Sequence, residues 1–306
     1  MEHKDAKKKK VLVYGANGVQ GGAVARRLLG AGHAVRGLVR DERGADALRG
    51  AGAELAFSDL SDLKSLRRAT DGCDAVYLVL PLEYDREKVL AWTKNAIDAA
   101  SAAGVERLVF NTSGRVPPEP TDVAAFEVKR EAEAYLKESA VPHVVLRPPF
   151  YMENFEAPWV TSAIAEGGVV AYPIPRQVEV SWLSVNDMAA LCAEALFRPG
   201  LSGLALDVGG PEALDGEGVA AAFSRALGRE IRYQAIPPDE FEAGLRNTVG
   251  EAAAADISAV YRWMAENEDS RLFVSDPGEI REQFQAEPTD LEKWASQREW
   301  AGLATR

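Results

Sequence analysis

Cysteine is nearly absent from this chain. Cys73 and Cys192 are the only two, one in a turn ahead of an apolar run and the other inside an alanine-rich helical pattern. A pair so placed excludes a disulfide framework and reads as reduced packing thiols of a cytoplasmic protein. The histidines are few and scattered. His3, His33 and His143 show neither H-E-x-x-H nor Cys-x-x-Cys spacing, so a zinc site is not expected. G-x-S-x-G is missing and no histidine follows position 143, which leaves a Ser-His-Asp hydrolase without support. No apolar run approaches the roughly 20 residues needed to span a bilayer. The charged N-terminus is followed by no hydrophobic segment of the signal-peptide kind. Positive charge is in deficit: 35 Lys and Arg face 47 Asp and Glu, a net −12. That field repels nucleic acid and anionic lipid. Lys4, Lys7, Lys8, Lys9 and Lys10 read as a frayed, solubilising tail rather than a nucleic-acid arm.

What the chain does have is rhythm. Its 306 residues are 47% apolar and 27% charged, enough to build one large α/β unit with a second lobe. Short apolar runs at Val11–Tyr14, His33–Val39, Ala53–Phe57, Ala75–Leu80, Arg107–Phe110 and Val144–Leu146 read as strands. Helical patterns at Val19–Leu29, Ser61–Ala69, Arg86–Ala103 and Thr121–Glu138 alternate with them. Such alternation predicts βαβ units and a doubly wound parallel sheet. After Arg147-Pro148-Pro149 the rhythm breaks. Residues 150–180 read as loop with one short helix; Ser184–Asp187 opens a helix through Phe197, and Leu204–Val208 returns as a strand. Three or four helical patterns follow. The expected division is residues 1–149 with 183–210 as a nucleotide-binding domain, and 150–182 with 211–306 as a smaller, mostly helical substrate or partner lobe.

Chemistry enters at the first turn. Gly15, Gly18 and Gly21 follow the first strand at G-x-x-G-x-x-G spacing. Gly15 permits the tight exit, Gly18 lets backbone approach a pyrophosphate, and Gly21 lets the helix pack close to the sheet. The helix start offers free N–H groups and a positive dipole end to phosphate. In this context the turn reads as a Rossmann dinucleotide site. The second strand ends in Arg40, with Arg36 upstream, where an acid would select NAD. A guanidinium there suits the 2′-phosphate of NADP(H) over NAD(H); the alternative is a solvated arginine pairing with Asp41 or Glu42.

With these residues in view, the chain resembles the NmrA-like family of atypical short-chain dehydrogenase/reductases, from about Val11 to Trp294. The likeness is carried by Gly15–Gly22, Arg40, Asp59-Leu60, Arg147–Asn154, Trp182–Ala190 and Asp207–Glu212. The resemblance implies that Gly15, Asn17, Gly18, Val19, Gln20 and Gly21 hold the cofactor phosphates. It further implies that Asp59, Leu60, Leu80 and Pro81 line the adenosine, and that Tyr151, Met152 and Asn154 lie along the nicotinamide end.

The catalytic centre is where the match is weakest. Short-chain dehydrogenases commonly use Tyr-x-x-x-Lys, the lysine lowering the phenol pKa. Lys129 matches the lysine, but Ala125 stands where the tyrosine belongs. Lys129 then has three readings: ribose anchor, proton relay, or a surface partner of Glu133. Ser113 either hydrogen-bonds substrate or caps the following turn. Tyr151 either donates a proton or packs against the nicotinamide. Phe150, Phe155, Trp159 and Trp182 either line a pocket for a flat apolar ligand such as a quinone, aryl carbonyl or activated alkene or are the aromatics that any core contains. Glu127, Glu131 and Glu133 read as a solvated helix face. Two functions follow: an NADP(H)-dependent reductase acting on a small molecule, or a non-catalytic NADP(H)-responsive regulator acting through a protein partner. Either would be a monomer or homodimer.

Overall fold

The computed structural model describes residues 8–81 and 83–303, without the side chains of Ala301 and Leu303. His3, Lys4 and Lys7 lie outside the described residues. Along the chain run β1 (Lys10–Val13), α1 (Val19–Gly30), β2 (Ala34–Val39), α2 (Ala45–Gly50), β3 (Glu54–Phe57), α3 (Leu63–Thr70), β4 (Ala75–Leu78), α4 (Arg86–Ala103) and β5 (Arg107–Asn111). There follow α5 (Ala124–Glu138), β6 (His143–Arg147), a 3-10 turn over Met152–Glu156, α6 (Pro158–Gly167), β7 (Val169–Tyr172), α7 (Val185–Phe197) and β8 (Ala205–Asp207). The last stretch holds α8 (Gly216–Leu227), β9 (Arg232–Ala235), α9 (Pro238–Val249), α10 (Glu251–Glu266), α11 (Pro277–Phe284), α12 (Leu291–Ser296) and α13 (Trp300–Leu303).

Seven strands form one sheet in the order β3-β2-β1-β4-β5-β6-β8. The pairings from β3 across to β6 are all parallel. This is the doubly wound α/β fold, and its strand order reverses between β1 and β4, where such sheets take ligands. Continuous burial of Ala75–Leu78 explains why that strand is apolar throughout. Side-chain caps set the helix starts: Asp62 accepts from Lys64 and Ser65 N–H at α3, and Asp85 from Lys88 N–H at α4. At α7 the Ser184 hydroxyl accepts from Asp187 N–H at 3.0 Å, the cap anticipated there.

Contacts group the chain into two units of nearly equal length. The first comprises 1–112, 128–147 and 188–206, the second 113–127, 148–187 and 207–306. The expected division differs at residues 148–149, 183–187 and 207–210, and most at 113–127, all of which belong with the second unit. For 113–127 Arg115 explains why: its buried guanidinium donates to the carbonyls of Leu272 and Val274 at 2.7 Å and of Val208 at 3.1 Å. Each unit has its own core. Leu12, Leu38, Leu66, Leu78, Ile97, Leu108 and Leu136 are among the buried residues of the first. Phe126, Phe155, Tyr172, Trp182, Phe223 and Trp294 are among those of the second.

Other expectations are corrected by the structure. β7 and β9 pair in a small parallel sheet of their own, inside segments read as loop and helix; four-residue strands leave too little pattern to see. Among the described residues, helices after Gly210 number six rather than three or four, because Gly228 and Gly250 divide the patterns. The short α2 was also unseen. Nor are all the N-terminal lysines a loose tail. Lys10 opens β1 and pairs with Glu54 at 2.6 Å, and Lys9 meets Glu106 at 2.5 Å; acids near the starts of β3 and β5 draw them in.

The tightest fit in the first unit is α1 against the end of β1. A Cβ on Gly21 would stand 2.3 Å from the Gly15 carbonyl oxygen and 2.5 Å from that of Tyr14. These are backbone atoms and cannot swing away. Gly30, at the far end of α1, has nothing within 4 Å of its Cβ position. Gly21→Ala is therefore expected to destabilise the protein by about 1–3 kcal/mol or more. Gly30→Ala should be neutral or gain up to ~1 kcal/mol. Urea unfolding of the two variants measures the difference, and equal stabilities would refute this account of the turn.

Candidate functional site

The glycine turn is built as its spacing implied. Gly15 takes φ +60 and Gly18 is extended at the N-cap of α1. The turn closes by Gly18 N–H donating to the Gly15 carbonyl at 2.9 Å. No side chain caps α1 and no acid stands in its first turn. The positive end of the helix dipole is thus left for an anion. Val19, the first helical residue, is 66% exposed. A Cβ built on Gly18 meets only the Gly15 oxygen within 4 Å, at 3.2 Å, so the space in front of the turn stays open. These features fit a dinucleotide pyrophosphate.

The carboxyl ends of the neighbouring strands carry the other expected contacts. Gly15 lies beside Val79, past the end of β4; Leu80 and Pro81 continue from there. The Asn17 side chain donates to the Arg43 carbonyl at 3.0 Å, tying the turn to the segment after β2. Asp59 accepts from Ser61 N–H and hydroxyl at 2.8 and 2.7 Å. Those bonds, with smaller contributions from Arg40 and Lys88, hold its carboxyl below the usual range. The Leu60 carbonyl accepts from Asn95 at 2.9 Å.

Arg40 and Arg36 part company. Arg36 donates to Glu54 at 2.8 Å and to the carbonyls of Ala69 and Asp71 at 2.7 Å, so it is a structural tie. Arg40 is 80% exposed and only 3.6 Å from Asp41. Asp41 is instead gripped by Arg43, whose side chain makes bonds of 3.1 and 2.6 Å and whose N–H donates at 3.0 Å. That grip holds the Asp41 carboxyl far below its usual value and leaves the Arg40 guanidinium turned to solvent. Arg43 was not anticipated; its side chain is 79% exposed, and a basic residue four past the strand end was the available signal.

The helix of Lys129 is α5, with Ala125 one turn before it. Burial pushes the Lys129 ammonium down to about 8. The carboxylates of α5 are only in part the solvated face expected: Glu131 is exposed, while Glu127 and Glu133 are half-buried. Glu133 is held by Arg147 through bonds of 2.8 and 3.1 Å, Glu131 pairs with Arg86, and Glu127 accepts from Thr121 N–H at 2.8 Å. Basic and donor groups face that side of the helix.

In the second unit, Ser113 adopts φ +52, rare for a residue with a side chain. Tyr151 is nearly buried and bridges to Leu183. The side chain of Met152 is committed to the core. The Tyr172 phenol lies 3.2 Å from that of Tyr261. Of the four aromatics expected to line one pocket, three stay together, Phe150 lying 5.7 Å from Trp182, and Trp159 stands apart. Phe155 and Trp182 pack in the core 4.4 Å apart, while Trp159 is 44% exposed beside Phe241. Only Phe150 stays half-buried, stacked near Tyr261 at 5.9 Å. Large apolar rings minimise contact with water first, and three of these four were core material or surface.

A doubly wound sheet with a glycine-turn phosphate cradle at its switch point defines a dinucleotide-binding protein of the Rossmann class. The model of the NmrA-like family matches residues 7–300, and the chain belongs to that family. It is 36% identical over 227 residues to an NAD(P)H azoreductase of Xenophilus azovorans, covering 74% of this chain and 77% of the relative. It is 33% identical over 265 residues to the (4-alkanoyl-5-oxo-2,5-dihydrofuran-3-yl)methyl phosphate reductase of Streptomyces griseus, covering 82% and 90%. The crystal structure of Citrobacter sp. triphenylmethane reductase complexed with NADP(H) superposes with a TM-score of 0.78 at 21% identity, over 94% of this chain and 99% of that one. At that identity the likeness establishes the fold. Among the described residues no helix is long and apolar enough to cross a membrane.

The Lys129 shift has a direct consequence. An ammonium whose folded pKa lies near 8 rather than 10.5 is disfavoured by folding while protonated. The penalty is full below pH 8 and fades as pH rises from 8 to 10.5, where only the unfolded chain keeps the proton. Lys129→Met should therefore raise Tm at pH 7, with the advantage shrinking over that window. Thermal melts from pH 7 to 10.5 measure it; a constant difference between the proteins would show an unshifted lysine.

Proposed function

We propose that this protein is an NADP(H)-dependent reductase that transfers hydride to a small, largely apolar acceptor such as a quinone, aryl carbonyl or activated alkene. The observation that carries the reading is the open, acid-free N-terminus of α1 behind the glycine turn, with a solvent-facing Arg40 at the neighbouring strand end. NADPH, when bound, supplies the hydride. The relatives support the acceptor class, since azo groups and unsaturated lactones are electron-poor π systems. In this reading the first unit binds the cofactor and the second shapes acceptor specificity. The buried, unbridged Cys73 and Cys192 suit a reducing, cytoplasmic setting.

The chain's own residues divide the remaining work. Gly15, Asn17, Gly18, Val19, Gln20 and Gly21 receive the pyrophosphate, Arg40 the 2′-phosphate, and Asp59, Leu60, Leu80 and Pro81 the adenosine. Tyr151, Met152 (through its backbone) and Asn154 meet the nicotinamide end. Lys129, with a pKa near 8, keeps most of its protons at neutral pH yet gives one up far more readily than an ordinary lysine. That suits it to hand a proton to the reduced acceptor without a tyrosine at position 125. Tyr151 and Ser113 are second candidates for hydrogen-bonding the acceptor. The regulator reading draws on Ala125, the missing phenol. NADPH oxidation followed at 340 nm against quinones, aryl carbonyls, azo compounds and activated alkenes separates the two: turnover with any acceptor supports the reductase, and tight NADPH binding with no turnover across the panel supports the regulator.

Two variants test the assignments. NADPH should bind roughly 10- to 150-fold more tightly than NADH, the span of one charge-assisted hydrogen bond. Arg40→Ala should erase most of that difference while leaving NADH affinity nearly unchanged, and equal affinities in the unaltered protein would remove the NADP assignment. Lys129→Met should lower kcat by roughly 10²–10⁴ if the ammonium is the proton donor. The unaltered enzyme should then lose kcat as pH rises through about 8. A fall in NADPH affinity with kcat intact would mark Lys129 as a ribose anchor instead.

A further inference from the structure

The segment after β2 carries an acid where an NADP(H) protein has least use for one. Residues 40–49 hold three arginines and three acids: Arg40, Arg43 and Arg49 against Asp41, Glu42 and Asp46. Arg49 takes two of the acids, meeting Glu42 at 2.8 Å and Asp46 at 2.7 Å. Arg43 takes the third. Its Nε and Nη2 donate to the two carboxylate oxygens of Asp41 at 3.1 and 2.6 Å, and its own N–H donates to Oδ1 at 3.0 Å. The Nε of Arg40 stands 3.6 Å from the same carboxylate.

The charge balance of this segment depends on Arg43. An acid at the end of the second strand of a dinucleotide fold bonds the ribose 2′-hydroxyl of NAD(H) and repels the 2′-phosphate of NADP(H). Asp41 is such an acid by position, two residues past β2. Its carboxyl is held far below the usual range by Arg43, so at neutral pH its charge is met by a cation and not by a proton. Without the Arg43 guanidinium the neighbouring cation is Arg40, and a carboxylate that swings onto Arg40 neutralises it. These bonds have one direction, since a guanidinium only donates and an ionised carboxylate only accepts. The segment is also tied to the glycine turn, because the Asn17 amide donates to the Arg43 carbonyl at 3.0 Å. That carbonyl is backbone, so the tie does not need the Arg43 side chain.

We infer that Arg43 is a positioning residue that sets cofactor specificity: by locking the Asp41 carboxylate it keeps Arg40 free for the 2′-phosphate and denies NADH a ribose acceptor. This rests on the NADP(H) reading above. The role is distinct from a contact with the phosphate itself, because it exists only while residue 41 is an acid.

Equilibrium binding of NADPH and NADH at low ionic strength, followed by cofactor fluorescence without any acceptor, tests this. Arg43→Met keeps the stem and the Asn17 tie and removes the guanidinium. It should weaken NADPH roughly 5- to 10-fold and leave NADH equal or tighter, so that the NADPH-to-NADH ratio falls. The loss should shrink as salt rises toward roughly 0.15 M, where the Debye length is about 8 Å. Asp41→Asn keeps an acceptor for the Arg43 N–H and should hold or raise NADPH affinity. Combining the two substitutions should regain the NADPH affinity that Arg43→Met loses, because no carboxylate remains to claim Arg40. An unchanged ratio in Arg43→Met, or the same loss with and without Asp41→Asn, would overturn the inference while leaving the NADP(H) reading intact; the second result would make Arg43 a phosphate contact in its own right. An unaltered protein that binds the two cofactors equally, or neither, would overturn both.

Discussion

The first unit depends on how closely α1 can approach the end of β1. The absent side chain at Gly21 lets the helix backbone sit where a methyl group would lie 2.3 Å from a carbonyl oxygen. That approach brings the first turn of α1 to the carboxyl edge of the sheet, where Gly15 lies beside Val79, just past the end of β4. A helix terminus so placed, uncapped and free of acids, is an anion site made from backbone alone. Gly15, held at φ +60, turns the chain sharply enough for the helix to begin there. The phosphate cradle and the packing of the first unit are in this sense one constraint.

Electrostatics around the cradle are arranged by pairing rather than by net charge. The chain carries −12 overall, which would discourage an anionic dinucleotide if spread evenly. At the end of β2, however, Arg43 takes up the charge of Asp41, and Arg36 is tied into the sheet edge by Glu54 and two carbonyls. Arg40 is thereby left as an exposed cation. Burial does the opposite for Lys129, whose ammonium is pushed down to about 8, into the range where proton transfer at neutral pH is efficient. The two cations differ in role because one is solvated and the other is not.

In the second unit the aromatic residues mainly make a core. Phe155 lies among Tyr172, Trp182 and Phe223 with ring centroids 4.4 to 5.5 Å apart. The C-terminal stretch is bound to the same body: Trp294 donates to the half-buried Glu153 carboxylate at 3.3 Å, and Arg298 lies 4.2 Å over the Trp294 ring. Burial raises the pKa of Glu153. This polar clamp holds the 3-10 turn that carries Met152 and Asn154, so the placement of that turn is set by residues some 140 positions later in the chain.

Sequence alone determined the parallel α/β architecture, the glycine turn and the basic residue after β2. Each of these rests on local causes: apolar runs that only buried strands can satisfy, glycine spacing dictated by backbone geometry, and a charge at a fixed offset from a strand. It also exposed the gap at Ala125, since a missing hydroxyl is visible without coordinates. What it left undecided depended on distant partners. No local pattern separates Arg36 from Arg40, because the carbonyls of Ala69 and Asp71 that claim Arg36 arrive from another part of the chain. Nor does any pattern say that Glu133 faces Arg147, that Phe155 and Trp182 are core, or that residues 113–127 join the second unit through Arg115. Asn111 shows the limit most sharply: a polar residue closing an apolar strand was legible, but its contacts with Gln20 and Tyr77 reach α1 and β4. A hydrogen bond exists only once both of its ends have been placed, and tertiary structure does the placing.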